Sequence, residues 1–331
     1  MVYIIGLGRS GSTLLTAVLN NHSQIKAIPE IPLILFFAHE YKTIQGKSES
    51  LERKTRIYLD LIQNIRPKSI IDLNVGQLQN VGYFKYIEYC EKVFEEFKII
   101  NSHGSKNIYV DKNPQYTFYT SEIKKIDPNA KFILLVRDYR DNVLSRIEKP
   151  HNKTANPAYN AFRNRFYLKE LSKAKTIKNS ILIHYENITN EPLAEIKKIC
   201  EFLNVPFENQ MFEFDQSQFA NLEVKKADMN EFINKHFSNL GKHITNSAVG
   251  KWKERLEEKD VHLIESICNK YGKQFQYYPT LKLNSYLWYV MRYLPYYLLA
   301  KWHIVKDRII YYIPSSIKLK RLKAINNKIL D

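Results

Sequence analysis

A glycine-rich turn between a short apolar run and a helical pattern sets the tightest limit on how this chain folds. Val2-Tyr3-Ile4-Ile5 reads as a buried strand, and Gly6-Leu7-Gly8-Arg9-Ser10-Gly11-Ser12-Thr13 follows it directly. Leu14, Leu15, Val18 and Leu19 then recur at helical spacing. Strand, glycine turn, helix is how a parallel α/β sheet opens, because parallel neighbours need a crossover and the crossover is usually helical. Three more apolar runs are strand candidates: Ile108 to Val110, Phe132 to Val136 and Ile181 to Ile183. Helices are expected from Leu51 to Ile65, Tyr83 to Phe97, Tyr116 to Ile126 and Pro157 to Ile177. The expected class is α/β, with a mainly parallel sheet flanked by helices on both faces. At 331 residues and 44% apolar, the chain can bury a full core.

Gly6 and Gly11 have the spacing of a phosphate-binding loop, G-x-x-x-x-G-K-[ST], but Ser12 stands where the lysine belongs. Glycines let main-chain N–H groups converge on an anion, and the positive end of the following helix adds to them. The lysine is what reaches the β/γ-phosphates of a nucleoside triphosphate. Its absence, and Arg137 in place of an acid after the strand ending at Val136, argue against a nucleotide kinase or triphosphatase. That enzyme class is the alternative function, together with a basic membrane- or nucleic-acid-binding protein whose charge is its function.

Gly8-Arg9-Ser10-Gly11-Ser12-Thr13-Leu14-Leu15, followed by Leu19-Asn20-Asn21-His22, resembles the 5′-phosphosulfate loop of sulfotransferases that use 3′-phosphoadenosine 5′-phosphosulfate (PAPS). His22-Ser23 stands where His-Pro is usual. Lys131 to Ser145 resembles the 3′-phosphate motif of the same family, a strand ending in Arg with a Ser eight residues later. A guanidinium suits that role because it binds phosphate bidentately. The resemblance spans roughly residues 2 to 279 and implies a P-loop nucleoside-triphosphatase-like sulfotransferase fold, with PAPS as co-substrate and no metal. It implies that Gly8, Arg9, Ser10, Gly11, Ser12 and Thr13 cradle the 5′-phosphosulfate, and that Arg137 and Ser145 hold the 3′-phosphate. Tyr185, in His184-Tyr185-Glu186-Asn187-Ile188, would lie near the adenine and 3′-phosphate. Gly250, Lys251 and Trp252, in Ala248-Val249-Gly250-Lys251-Trp252, would close over the nucleotide. Lys149 matches an occasional second 3′-phosphate cation. Ser247 is a nearby hydroxyl for the catalytic Ser that some relatives carry at the Gly250 position.

Sulfuryl transfer is an in-line displacement at sulfur, so a site needs a base on the acceptor side and cations on the leaving side. Glu30, in Ile28-Pro29-Glu30-Ile31-Pro32, follows the loop helix where glycan- and protein-type relatives carry a catalytic Glu, and it is the expected base. Pro29 and Pro32 are expected to fix its turn, and His22 and His39 are fallback bases. Lys112, in Val110-Asp111-Lys112-Asn113-Pro114, resembles the family lysine that faces the bridging oxygen, and Arg9 is the other leaving-side cation. The acceptor is the least legible feature: segments 31–105 and 205–245 carry no diagnostic motif. The expectation is a hydroxyl acceptor, with a sugar or lipid-linked glycan preferred over a peptide tyrosine.

The formal net charge is +16, and half of that excess lies in residues 281–331, where ten Lys or Arg face two acids. This segment, rich in Trp and Tyr, is expected to be a C-terminal appendage to a sulfotransferase domain spanning 1–280. A charge this large suits an anionic partner; the phosphate motifs favour a nucleotide, and nucleic acid is not expected. Cys90, Cys200 and Cys268 are too few and too scattered for a disulfide framework or a zinc site. With a strand expected from Val2, no leader is expected before it, and no apolar run reaches the length needed to span a membrane. A cytoplasmic protein is expected, peripheral at the inner face of a membrane if the tail binds lipid. The alternative is a tail packed on the domain or on another copy.

Overall fold

The computed structural model describes residues 1–65, 71–73, 85–99, 106–148, 155–213 and 248–330. Lys149 and Ser247 lie outside them, as do parts of segment 31–105 and most of segment 205–245. The core is a five-stranded sheet of β1 (Val2–Gly6), β2 (Ile25–Pro29), β5 (Ile108–Lys112), β6 (Lys131–Val136) and β7 (Ser180–His184), in the order β2-β5-β1-β6-β7. Every pairing in it is parallel. The crossovers are helical: α1 (Ser12–Asn20), α2 (Leu33–Tyr41), α3 (Glu49–Ile65), α4 (Tyr86–Glu95), α5 (Thr120–Ile126), α6 (Tyr139–Ile147) and α7 (Pro157–Ala174). α8 (Tyr185–Asn190) and α9 (Pro192–Leu203) follow β7.

Strand alternation decides which face each side chain serves. Val2, Ile4, Ile133, Leu135 and Ile183 pack against α1, α8 and α9 on one face. Tyr3, Ile5, Phe132, Leu134 and Val136 pack on the other, with residues of α2, α4 to α7 and the helix Glu258–Gly272. Both faces of the sheet are therefore covered, as expected of a parallel sheet built from apolar runs.

Three expectations need correction. Of the helix expected from Tyr83 to Phe97, the described residues are helical over Tyr86–Glu95, Tyr83 lies outside them, and β4 (Phe97–Ile99) pairs antiparallel with β3 (Ile71–Leu73) in a separate ribbon. The helix from Tyr116 to Ile126 is a 3₁₀ turn, Pro114–Phe118, followed by α5. There the Tyr116 hydroxyl donates to Asp111 at 2.6 Å, and the Thr117 hydroxyl accepts from the Gly6 N–H at 3.0 Å. Both contacts draw the turn onto the strand ends and away from a regular helix. α7 ends at Ala174, short of Ile177. β2 is an edge strand that periodicity missed, since five residues with a lysine at the second position give little alternation.

The described residues past 280 form three helices, Tyr286–Arg292, Leu294–Tyr312 and Ser315–Leu330. The second packs against α7 and α2, the third against α3 and α2. The Glu40 carboxylate accepts from both the N–H and the hydroxyl of Ser315, capping the last helix. The junction is tied down by Glu265, fully buried, which accepts from the Thr280 N–H at 2.9 Å, its hydroxyl at 2.9 Å and the Leu281 N–H at 3.0 Å. Glu265 also accepts from Arg140 at 2.7 Å. Glu265→Ala leaves Arg140 with Asp138 as its remaining carboxylate partner and takes the acceptor from the Thr280 and Leu281 N–H groups, so it should destabilise the fold by about 2–4 kcal/mol. Urea denaturation checks this; an unchanged midpoint would show that the pair contributes nothing.

Candidate active site

Parallel pairing brings the ends of all five strands to one edge, and the candidate residues follow that order. Glu30 directly follows β2, Lys112 ends β5, the glycine loop follows β1, Arg137 follows β6, and Tyr185 follows β7. The loop is shaped by left-handed backbone at Arg9 (φ 75°) and Gly11 (φ 86°). Alternation of this kind curls successive N–H groups around an anion. Among the described residues the amides from Arg9 to Thr13 donate to no protein acceptor. Gly11 is required twice, by its φ and because a Cβ there would meet the Tyr185 ring at 2.3 Å.

Arg137 lies beneath this loop. Its guanidinium donates to the Arg9 carbonyl at 2.9 Å and the Ala248 carbonyl at 2.6 Å, and stacks over Tyr185 at 4.7 Å. Its Nε is buried and has no partner among the described residues. Arg137 and Ser145 share no direct bond; Arg9 links them, with its Nε donating to the Ser145 hydroxyl at 3.1 Å. Burial and the neighbouring Arg137 charge lower the Arg9 pKa. An arginine still stays protonated at neutral pH, so the two cations together are a site of strong positive potential.

α6 carries three residues that motif reading passed over. Asn142 donates to the Gly8 carbonyl at 3.2 Å and the Ser10 hydroxyl at 3.1 Å. Arg146 donates to the same carbonyl at 2.8 Å, its pKa pushed down to about 10 by burial and by Arg163. Asp141 accepts from the N–H groups of Gly250 at 2.7 Å and Trp252 at 3.0 Å, which fastens the Gly250 segment to α6. Trp252 also covers the Arg140 guanidinium at 4.0 Å. The available signal was periodicity: polar residues at 138, 141, 142, 145 and 146 line one side of a helix whose first two turns are mostly buried. Lys251 is brought to the same segment, at the start of the short helix Trp252–Arg255.

At the other end of the edge, the buried Lys112 ammonium donates to Glu30 Oε1 at 2.7 Å. The Glu30 N–H donates to the Lys112 carbonyl at 2.9 Å, so backbone and side chain join the two residues. Glu30 has a φ of 28°, a strained value for a residue with a side chain, and its carboxylate is 47% exposed. Neither fallback histidine joins this group. His22 is buried just past the C-terminal end of α1, accepting from the Gln24 N–H and donating to the Pro206 carbonyl. His39 packs on Tyr311 and Tyr312 of the tail. No cluster of metal-ligating side chains occurs among the described residues.

The model of the Sulfotransferase family matches residues 2–209, which include every strand-end group described above. Protein-tyrosine sulfotransferase A of Caenorhabditis elegans is 22% identical over 279 residues, covering 81% of this chain and 64% of that protein. Protein-tyrosine sulfotransferase 1 of Danio rerio is 23% identical, covering 82% of this chain and 72% of that one. The chain spans less than two thirds of the length of the first of these relatives. Among solved structures, the sulfotransferase domain from the curacin biosynthetic pathway superposes with a TM-score of 0.51 at 20% identity, covering 86% of this chain and 98% of that domain. That likeness agrees with the fold expected from the glycine turn. On the family match, which takes in more than half of its residues, this chain belongs to the sulfotransferase family.

Proposed function

We propose that this protein transfers the sulfuryl group of PAPS to a hydroxyl acceptor, with a peptide tyrosine as the acceptor. The observation that carries the proposal is the division of the strand edge: two guanidiniums and Ser145 on one side of the loop, a carboxylate–ammonium pair on the other. The donor fits the first group. A 3′-phosphate offers acceptor oxygens to Arg137, whose buried Nε lacks one, and to the Ser145 hydroxyl. The curled loop amides and Arg9 suit the 5′-phosphosulfate.

In the reaction so proposed, the acceptor oxygen attacks sulfur in line with the bond to the 5′-phosphate. The S–O bond breaks, its electron pair stays on the bridging oxygen, and the acceptor proton passes to Glu30. Lys112 is suited to the bridging oxygen because an ammonium concentrates its charge at one point. Its hydrogen bond to Glu30 holds base and cation side by side, and loosening it frees each for its own atom. Arg9 adds charge to the same leaving group. As in phosphoryl transfer, positioning and charge stabilisation supply most of the rate. The expectation of a sugar acceptor rested on the Glu30 resemblance alone. The relatives named as protein-tyrosine sulfotransferases support a phenol in its place.

Two outcomes follow. Adenosine 3′,5′-bisphosphate should bind about tenfold to a few hundredfold more tightly than adenosine 5′-phosphate, and Arg137→Ala should erase most of the difference. Calorimetry measures both affinities, and equal values for the unmodified protein would contradict the role of Arg137. Glu30→Gln keeps the shape and removes the base. Turnover of PAPS onto a tyrosine peptide should fall by roughly 10² or more, while nucleotide affinity stays nearly constant. Near-normal turnover would assign the proton to another group.

A further inference from the structure

Thirteen of the sixteen large hydrophobic side chains exposed among the described residues lie in the three tail helices. Scattered singly such residues mean little, but a contiguous set marks a surface that meets something. The helix Leu294–Tyr312 explains how they come together. One side turns inward: Tyr297, Ala300 and Tyr311 join the core, His303 bonds Tyr159, and Asp307 accepts from Gln115. A second apolar stripe, Leu298, Trp302, Val305, Ile309 and Tyr312, repeats at spacings of four and three and is exposed along its whole length. One residue of offset from Tyr297 places it about 100° further round the helix. Leu287, Met291 and Leu294 carry the same spacing upstream and are also exposed. The core contacts are already made by the inward side, so burial in this fold does not account for the second stripe.

Charge selects the occupant. Lys301 and Arg308 flank the stripe on one side and Lys306 on the other, and the one acid of this helix, Asp307, faces inward. Lys320, Arg321 and Lys323 are exposed on the next helix. Pairing this face with its own copy would set like charges against each other. An anionic lipid surface attracts them, and Trp and Tyr favour the level of the headgroups. No helix among the described residues is long and apolar enough to cross a membrane. We propose that the outward stripe of the tail is a docking surface for an anionic bilayer, with the helices lying in the plane of its interface. Arg308 also donates to the Phe118 carbonyl, which ties this helix to the 3₁₀ turn that follows β5.

The test is flotation of the full chain with phosphatidylcholine vesicles, with and without phosphatidylglycerol, beside a Leu298→Ser, Trp302→Ser, Ile309→Ser variant. All three side chains are about half exposed, so the variant should keep the native thermal melt, and nucleotide binding gives a second check of its folding. The full chain should float with the anionic vesicles and stay behind with the neutral ones. The variant should lose at least about tenfold of the bound fraction. A full chain that stays behind with both vesicle types overturns the proposal, as does a variant that floats as well as the original. If light scattering shows instead a dimer that the same substitutions abolish, and nothing floats, the occupant is a second copy. Since the readout is binding to vesicles, it stands or falls separately from the sulfuryl-transfer reading.

Discussion

Parallel pairing obliges five strands to finish on one side of the molecule, and the chemistry of this protein depends on that. No single segment contains a site. Residues 30, 112 and 137 are far apart in sequence and are made neighbours by the order β2-β5-β1-β6-β7. The chain crosses β1 on its way from β5 to β6, so the glycine loop stands where the connections part in opposite directions. In open parallel sheets this is where ligands bind. The loop therefore separates a cationic side from a side where a carboxylate and an ammonium touch.

α6 turns that arrangement into a fixed one. Asn142 and Arg146 hold the start of the loop by its carbonyl, Ser145 holds Arg9, and Asp141 holds the Gly250 segment. Asp138 begins the helix by accepting from the Arg140 N–H, and the Arg140 side chain runs on to Glu265 and the tail junction. One helix of nine residues thus links the loop, the Gly250 segment and the junction to the tail helices. Its buried polar groups are costly to desolvate, and they are offset by being bonded to one another.

The sequence exposed the parts that are local and left hidden those that depend on tertiary contact. The loop, Arg137 and Ser145 were legible because glycine spacing and a strand ending in arginine are short-range patterns. The order of the strands was not, and neither was β2, whose partner lies more than eighty residues away. Nothing local marks Asp141 and Asn142 as buried; the fold encloses both, Asn142 against the loop and Asp141 against the Gly250 segment. The contact between Glu30 and Lys112 could be expected only by analogy, since nothing in either segment says that β2 and β5 are neighbours. For the tail, composition gave the charge and the aromatics. Only the packed fold separates the inward stripe from the outward one.

The most direct measurement is a crystal structure of the protein with adenosine 3′,5′-bisphosphate. The account predicts the 3′-phosphate between Arg137 and Ser145, with Arg137 turned from the Ala248 carbonyl towards it, and the 5′-phosphate within the amides of Gly8 to Thr13, facing Lys112. A nucleotide bound away from the strand edge, or one whose 3′-phosphate points to solvent while Arg137 keeps both carbonyl contacts, would contradict it.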